Sequence, residues 1–441
     1  MRDASNLATA TPGSAEAHPT FAEALRVWAR IGVLSFGGPA GQIALMHREL
    51  VDERKWIDEP RYLNALNFCM LLPGPEAMQL ATYVGWRLHG LKGGLAAGLL
   101  FVLPGALVVL ALSMLYAAFG KLPVAEAVFV GVKAAVLAIV VEALLRIARR
   151  SLKDNAEWLI GGLAFIAIYF LSVPFPIIVL SAALVGFFRA SPQQAPAEAT
   201  PASGVSLART ATTIVVWLAV WALPLLGLAA IFGQSHVITQ LALFFSKLAV
   251  VTFGGAYAVL AYMAQDVVTH YGWLSAGEML DGLGLAETTP GPLILVTEFV
   301  GFLAAHRHGG GNPWMMGVLG AVVTLWATFA PCFLWIFAGA PYIERLNAEP
   351  RLKSALAAVT AAVVGVILNL TVWFAMHVLF ATVREYNIGS LRLQIPELAS
   401  VSWPALVLSA LAVVLLFVLH RGIVTTLAAC ASLALAWHLA A

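Results

Sequence analysis

The chain has 441 residues, of which 61% are hydrophobic and only 11% are charged. A soluble domain carries roughly 25% charged residues, so this composition excludes an ordinary soluble enzyme or binding domain. The formal net charge of +2 gives no reason to expect a nucleic-acid partner, because nucleic-acid binding depends on clustered positive charge.

Apolar runs of about 20 residues or more recur along the chain, and each is long enough to cross a hydrocarbon core of roughly 30 Å. A buried soluble core can explain one such run but not several. The runs span residues 93–119, 124–145, 214–232, 315–340 and 356–380. The sequence therefore predicts an all-α polytopic membrane protein.

Residues 1–20 are polar and predict a disordered tail rather than a cleaved signal.

The first half contains two helix breaks in segments that otherwise read as membrane-embedded. Short apolar stretches then flank Gly37-Gly38-Pro39 and Pro73-Gly74-Pro75. Proline ends a helix, and non-helical backbone at membrane depth must be buried in protein or line a cavity. We therefore expect broken helices or re-entrant hairpins that meet near mid-membrane, with ordinary kinked helices as the alternative.

The second half repeats these breaks without a gap at an offset of 217 positions. Ser35-Phe36-Gly37-Gly38 recurs as Thr252-Phe253-Gly254-Gly255, and Pro73-Gly74-Pro75 recurs as Pro290-Gly291-Pro292. The register then resumes at an offset of 227, which aligns Glu142 with Asn369 and predicts a polar position used for helix–helix hydrogen bonding. Paired interrupted segments in corresponding halves indicate the binding site of a transporter.

The distribution of cations predicts that the two halves are inverted repeats. One side of the first half collects the cations, the other side has Lys121, and this bias reverses in the second half. The collected cations are Arg48, Arg54, Lys55, Arg61, Arg87, Lys92, Arg146, Arg149, Arg150 and Lys153. We predict a first repeat over residues 21–190, a linker with a connecting transmembrane helix over 191–236, and a second, inverted repeat over 237–441. The N-terminus is then cytoplasmic.

The repeated stretches resemble the chromate ion transporter (CHR) family in its two-domain form. The resemblance rests on Phe36 to Pro39, Leu72 to Leu80, Gly85-Trp86 and Phe101 to Gly105, with Phe253 to Gly255 and Thr288 to Pro292 in the second half. Met78 departs from the pattern, in which a glutamine is expected. The resemblance implies a carrier in the bacterial inner membrane that exports chromate by alternating access, with sulfate as the tetrahedral look-alike. A homodimer is left open.

The candidate substrate site lies at the breaks, because helix N-termini and glycine backbone offer N–H donors and positive potential to an oxyanion. Two cations near the breaks, Arg30 and Lys247, add charge. A basic residue at the bilayer centre costs roughly 2.5–3.5 kcal/mol, so a repeated one indicates a wet cavity or a partner; snorkelling to the interface is the alternative. The other candidates are Ser35, Gly37, Gly38, Pro73, Gly74, Pro75, Gln79, Thr252, Gly254, Gly255, Thr288, Thr289, Pro290, Gly291 and Pro292.

Two carboxyl groups, Glu76 and Glu298, are candidates for proton coupling, although Glu76 could instead complement a helix dipole. No cofactor or metal is expected. Competing readings are a sulfate or other small-oxyanion transporter, a membrane-bound chromate reductase, and a non-transporting scaffold. The reductase reading is weak because the three cysteines show neither pairing nor a metal-binding spacing. The scaffold reading leaves the repeated cations unexplained.

Overall fold

The structure is a computed structural model that describes residues 18–190, 206–253, 256–389 and 391–440. Most of the predicted tail, most of the predicted linker, and both Gly254 and Gly255 lie outside the described residues. The described chain is almost entirely helical, which confirms the predicted all-α class, and six of its helices are long and apolar enough to cross a membrane.

The first half consists of seven helices with the predicted interruptions. Helix α1 ends two residues before Phe36, and a π-helical turn at Arg48–Glu53 follows α2. Helix α4 is kinked at His89–Gly90, where the backbone leaves helical geometry, so it forms a short first arm and a long second arm. The helices are α1 (Phe21–Leu34), α2 (Gly38–His47), α3 (Glu59–Leu71), α4 (Glu76–Phe119), α5 (Pro123–Ser151), α6 (Asn155–Tyr169) and α7 (Phe175–Arg189).

The second half follows the apolar helix α8 (Leu207–Phe232), which lies within the segment 191–236. A π-helical turn at Asp266–His270 repeats the one after α2. The remaining helices are α9 (Val237–Val251), α10 (Ala256–Gln265), α11 (Ala276–Thr288), α12 (Val296–His308), α13 (Pro313–Gly339), α14 (Ile343–Ala348), α15 (Pro350–Leu379), α16 (Trp403–Val413) and α17 (Ile423–Ala440). Strands β1 (Val383–Ile388) and β2 (Leu391–Pro396) form an antiparallel hairpin that the sequence analysis did not predict.

Contacts at the helix ends show that the two halves enter from opposite faces. We call the face that contains the start of α1 and the kink of α4 the basic face. These two elements meet there, since His89 Nε2 lies 3.0 Å from Pro19 O. In the second half, His236 Nε2 lies 3.1 Å from Gly309 O, between α12 and α13. Helix α13 then crosses to the basic face, where Thr210 Oγ1 of α8 lies 2.9 Å from Tyr342 OH. Helix α8 thus runs from the basic face to the opposite face, where the second half begins.

Each half also packs its last hairpin on the long helix of the other half. Helices α6 and α7 pack on α15, and α16 and α17 pack on α5. Small residues permit this close approach: a Cβ at Gly365 would lie 2.1 Å from Gly161 O, and a Cβ at Gly131 would lie 2.3 Å from Cys430 O. The halves therefore share one interlocked core, and the broken helices lie at its centre.

Candidate functional site

The predicted breaks meet at the centre in a crossed arrangement, as far as they lie within the described residues. The N–H of Gly74 donates to Thr252 O at 2.9 Å, and the N–H of Gly291 donates to Ser35 O at 2.9 Å. Each Pro-Gly-Pro turn is therefore bonded to the end of the first helix of the opposite half. The two bonds are equivalent under the 217-residue repeat, so the duplication extends to individual hydrogen bonds.

Two side-chain amides reinforce these turns. Gln79 Nε2 donates to Pro73 O at 2.7 Å within the first turn. Gln42 Nε2 of α2 donates to Gly291 O at 2.6 Å and so holds the turn of the opposite half. The sequence analysis missed Gln42, because the position 217 residues later is an apolar valine, Val259.

The predicted hydroxyl donors all donate to helix carbonyl groups in this structure. Ser35 Oγ donates to Ile31 O and Thr252 Oγ1 to Leu248 O, both at 2.5 Å. Thr288 and Thr289 close the end of α11 by donating to Leu285 O and Ala286 O. An oxyanion at the centre would therefore rely on backbone N–H groups, unless these hydroxyl groups turn.

The second arm of α4 and its counterpart α13 support the turns from behind. A Cβ at Gly105 would lie 2.2 Å from Pro290 O, and a Cβ at Gly74 would lie 3.0 Å from Cys332 Sγ. Gly105 and Cys332 are equivalent at the 227-residue offset, so each long helix carries a small side chain where the opposite turn rests. The turns are thus fixed by packing as well as by hydrogen bonds.

The Gly37-Gly38 break is open to space, unlike the two Pro-Gly-Pro turns. Both glycines have positive φ angles, 85° and 70°, and a Cβ at either would meet no atom within 4 Å. Pro39 follows in the first turn of α2, which leaves the N-terminus of that helix directed at the open region. The equivalent Gly254 and Gly255 lie outside the described residues.

The two predicted cations differ in their surroundings. Arg30 Nε lies 3.6 Å from the buried Glu49 Oε1, and Arg54 also pairs with Glu49. Lys247 Nζ lies 5.5 Å from the centre of the Tyr262 ring, in a cation–π contact. Both cations therefore contact partners within their own half, and their role in anion binding stays a prediction.

The two predicted carboxyl groups also differ. Glu76 begins α4 immediately after the first turn, is partly buried, and interacts electrostatically with Arg150 of α5. Glu298 on α12 is 1% exposed, and its Oε2 has no hydrogen-bond partner among the described residues. The coupling role of both groups stays a prediction.

A buried pair that the sequence analysis did not select lies next to the second turn. Tyr257 OH at the start of α10 donates to Glu287 Oε1 at the end of α11, at 2.8 Å. Glu287 interacts electrostatically with Arg146 of α5. Arg146 Nη2 in turn donates to Glu142 Oε1 at 2.7 Å, so Glu142 forms a bond within its helix and not the predicted helix–helix bond.

The two halves are not in the same conformation. Helix α10 packs on α15, whereas its counterpart α2 makes no comparable contact with α5 in the described chain. Equivalent side chains differ accordingly: Leu63 is 45% exposed and Leu280 is fully buried, and Met70 is 36% exposed whereas Glu287 is 6% exposed. We call the α2–α5 side, which lacks this packing in the described chain, the open mouth, and the contact between α10 and α15 the closed mouth.

Comparison with known proteins gives a consistent set of relatives. A family model described as chromate transporter matches residues 22–187 and 239–435. The chromate transport protein of Pseudomonas aeruginosa is 36% identical over 371 residues, covering 81% of this chain and 82% of that protein. The chromate transport protein of Cupriavidus metallidurans is 32% identical over 81% of this chain and 84% of that protein. A probable chromate transport protein of Synechococcus elongatus is also 32% identical, over 79% and 84% respectively. No solved structure matches the chain.

Proposed function

Because the chain belongs to the chromate transporter family, we propose that it exports chromate across the bacterial cytoplasmic membrane as a secondary transporter and so confers chromate resistance. Its relatives are named as transport proteins, which groups the chain with transporters rather than with enzymes. Residues 21–190 and 237–441 act as the two repeats, and residues 191–236 join them through one crossing. The N-terminus lies in the cytoplasm, because the predicted cation bias assigns the basic face to that side.

The crossed bonding of the Pro-Gly-Pro turns is the observation that carries this proposal. Gly74 and Gly291 each bond across the two halves, so the unwound backbone of both repeats converges on one place. Unwound segments at a repeat interface are where secondary transporters bind their substrates. The open Gly37-Gly38 break beside it leaves helix N–H groups with a partial positive charge for a tetrahedral dianion.

Alternating access is supported by the difference between the two mouths. Inverted repeats can exchange conformations, so a second state arises when α2 closes on α5 and α10 leaves α15. The open mouth then faces the cytoplasm in this structure, ready to receive the exported anion. Arg146 and Arg150 belong to α5, one of the two helices that define this mouth, and their positive charge would attract an anion to it.

The membrane potential can drive export without an obligatory coupling ion. Moving one charge through 100 mV is worth roughly 2.3 kcal/mol, so a dianion that leaves a negative interior gains about twice that. Glu76 and Glu298 remain our candidates for proton coupling, because a carboxyl group can exchange a proton during the cycle. A homodimer is also part of the proposal, and the mass of the purified protein tests it.

The alternative function is transport of sulfate or another small oxyanion, with chromate as an incidental substrate. Backbone donors recognise a tetrahedral dianion by shape and charge, which chromate and sulfate share. Radiolabelled chromate flux into liposomes that contain only this protein separates the two functions. We expect potential-dependent chromate flux for which sulfate competes. Sulfate flux that is much faster than chromate flux would favour the alternative, and the absence of any oxyanion flux would contradict both.

Variants of the two repeated cations extend this experiment. Arg30→Ala and Lys247→Ala should each raise the half-saturating chromate concentration by about tenfold, if each supplies one charge-assisted interaction. Arg26→Ala is the matched control, because Arg26 lies one turn earlier on α1 and is exposed. Unchanged half-saturating concentrations in both variants, at normal folded yield, would remove these cations from the site.

A further inference from the structure

A polar cavity, separate from the central turns, lies at the closed mouth, beneath the β-hairpin. It has a volume of about 90 Å³, whereas one water needs only about 10–15 Å³ of the same kind of volume. A tetrahedral oxyanion with five heavy atoms therefore fits. The cavity is bounded by the end of α6 and the link that follows it, by the end of α10 and by α15. Its polar lining includes Gln265, Thr269, Asn369, Glu385, Arg392 and Gln394.

Three of the donor groups that line this cavity are unused in the described structure, whereas Thr269 Oγ1 donates to Gln265 O and Gln394 Nε2 donates to Glu385 Oε1. In the described part of the chain, the side-chain amides of Gln265 and Asn369 and the guanidinium of Arg392 have no hydrogen-bond or ion-pair partner within the structure. The backbone of Arg392 is fixed, because its N–H donates to Phe170 O at 3.0 Å. A positioned cation with two neutral amides is a suitable donor set for an oxyanion.

The pairing register directs one face of the hairpin at the cavity. Glu385 pairs with Gln394, and both side chains line the cavity together with Arg392. Side chains alternate between the faces of a strand, so Arg384 belongs to the other face. It pairs there with Glu397, at 3.1 Å. The hairpin thus carries one arginine in the cavity and one outside it.

The hairpin supplies a cation that the repeat lacks at this position. On α5 the open mouth carries Glu142 and Arg146, and the equivalent residues on α15 are Asn369 and Trp373. The link between α5 and α6 is three residues long, whereas the link between α15 and α16 contains the whole hairpin. Arg392 therefore stands in the closed mouth as the substitute for Arg146.

We propose that this cavity is a second oxyanion site, in which Arg392, Gln265 and Asn369 receive a tetrahedral dianion as it leaves the central turns. The proposal rests on the proposed transport function. It adds a site at the face opposite the basic face, which we call the hairpin face. Glu385 accepts a hydrogen bond from Gln394 Nε2 at 2.8 Å, and its negative charge keeps the affinity low. Low affinity suits a site from which the anion is released.

The first test measures chromate flux in right-side-out and inside-out membrane vesicles, so that each face is titrated separately. Arg392→Gln should raise the half-saturating concentration at the hairpin face by about tenfold, the loss of one charge-assisted hydrogen bond, with no change at the basic face. Glu385→Gln should lower it several-fold. Arg384→Gln, the matched control, should leave it unchanged. Equal shifts for Arg384→Gln and Arg392→Gln, or no shift for Arg392→Gln, would overturn the proposal.

The second test does not depend on transport. Thr269→Cys places a thiol in the cavity wall, where Thr269 is exposed, and the three native cysteines are buried. Sulfate, which does not oxidise thiols as chromate does, should slow maleimide labelling of this thiol, and Arg392→Gln should abolish the protection. Chloride at equal ionic strength is the control. Protection without flux would retain the site and reject the transport function, whereas flux without protection would reject the site alone.

Discussion

Gly74 illustrates how single residues fix the centre of the molecule. Its φ angle of +117° lies in the region that side chains disfavour. Its N–H is used in the bond to Thr252 O, and a Cβ would lie 2.9 Å from Gln79 Nε2. Conformation, hydrogen bond and packing therefore all require glycine at this position.

Gly74→Ala should destabilise the protein by about 1–3 kcal/mol, the cost of a side chain held in a sparsely populated backbone region. Transport should fall with it, because the turn must move to relieve the strain. Gly162→Ala is the control: a Cβ there meets no atom within 4 Å, so the change should stabilise α6 by about 0.5–1 kcal/mol. Thermal unfolding of the purified variants measures both effects. Equal stability of the two variants would show that the turn is not constrained as described.

Residue-level prediction succeeded where a residue type has one physical use and was incomplete elsewhere. Proline and glycine end helices for local reasons, so Pro73-Gly74-Pro75 and its repeat could be assigned from sequence. Gln42, Tyr257 and Glu287 could not, because their partners are distant in sequence and their repeat counterparts are apolar or small. The one sequence signal available for Glu287 was the position of a glutamate directly before Thr288-Thr289.

At the level of elements, the breaks were predictable but their partners were not. The alternation of hydrophobic and polar residues does not identify which apolar helix another helix packs on, because lipid and protein are similar surroundings for such helices. The packing of α6 and α7 on α15 therefore had no sequence signal. The β-hairpin had one, since residues 391–395 alternate in polarity shortly after Gly389.

The bond between Tyr257 and Glu287 joins α11 to α10, the helix that forms the closed mouth with α15. Tyr257→Phe should destabilise the protein by about 1–3 kcal/mol, because it leaves a buried carboxyl oxygen without its donor. Adding Glu287→Met, the residue that occupies the equivalent position 70, should recover most of this loss because both partners are then apolar. Denaturation midpoints of the single and double variants test the pair. A double variant that is less stable than Tyr257→Phe would argue against a dependence of one partner on the other.

At the scale of the whole molecule, two similar sequences take up different conformations within one chain. The closed mouth is formed by α10 against α15, and the equivalent α2 makes no comparable contact with α5 in the described chain. Such a difference cannot be read from a sequence, because both conformations satisfy the same local preferences. It is also what transport requires, since a carrier must open to one face at a time.

Cross-linking of equivalent cysteine pairs tests this central claim most directly. Ala261→Cys with Leu370→Cys spans the closed mouth, and the repeat-equivalent Ala44→Cys with Ala143→Cys spans the open one, in a chain freed of its native thiols. Without substrate, we predict that a short bifunctional reagent links the first pair and not the second. With sulfate as a chromate analogue and an imposed potential, the second pair should become linkable. A cross-link across either pair should stop flux. Equal linking of both pairs under all conditions would contradict an exchange of conformations between the two repeats.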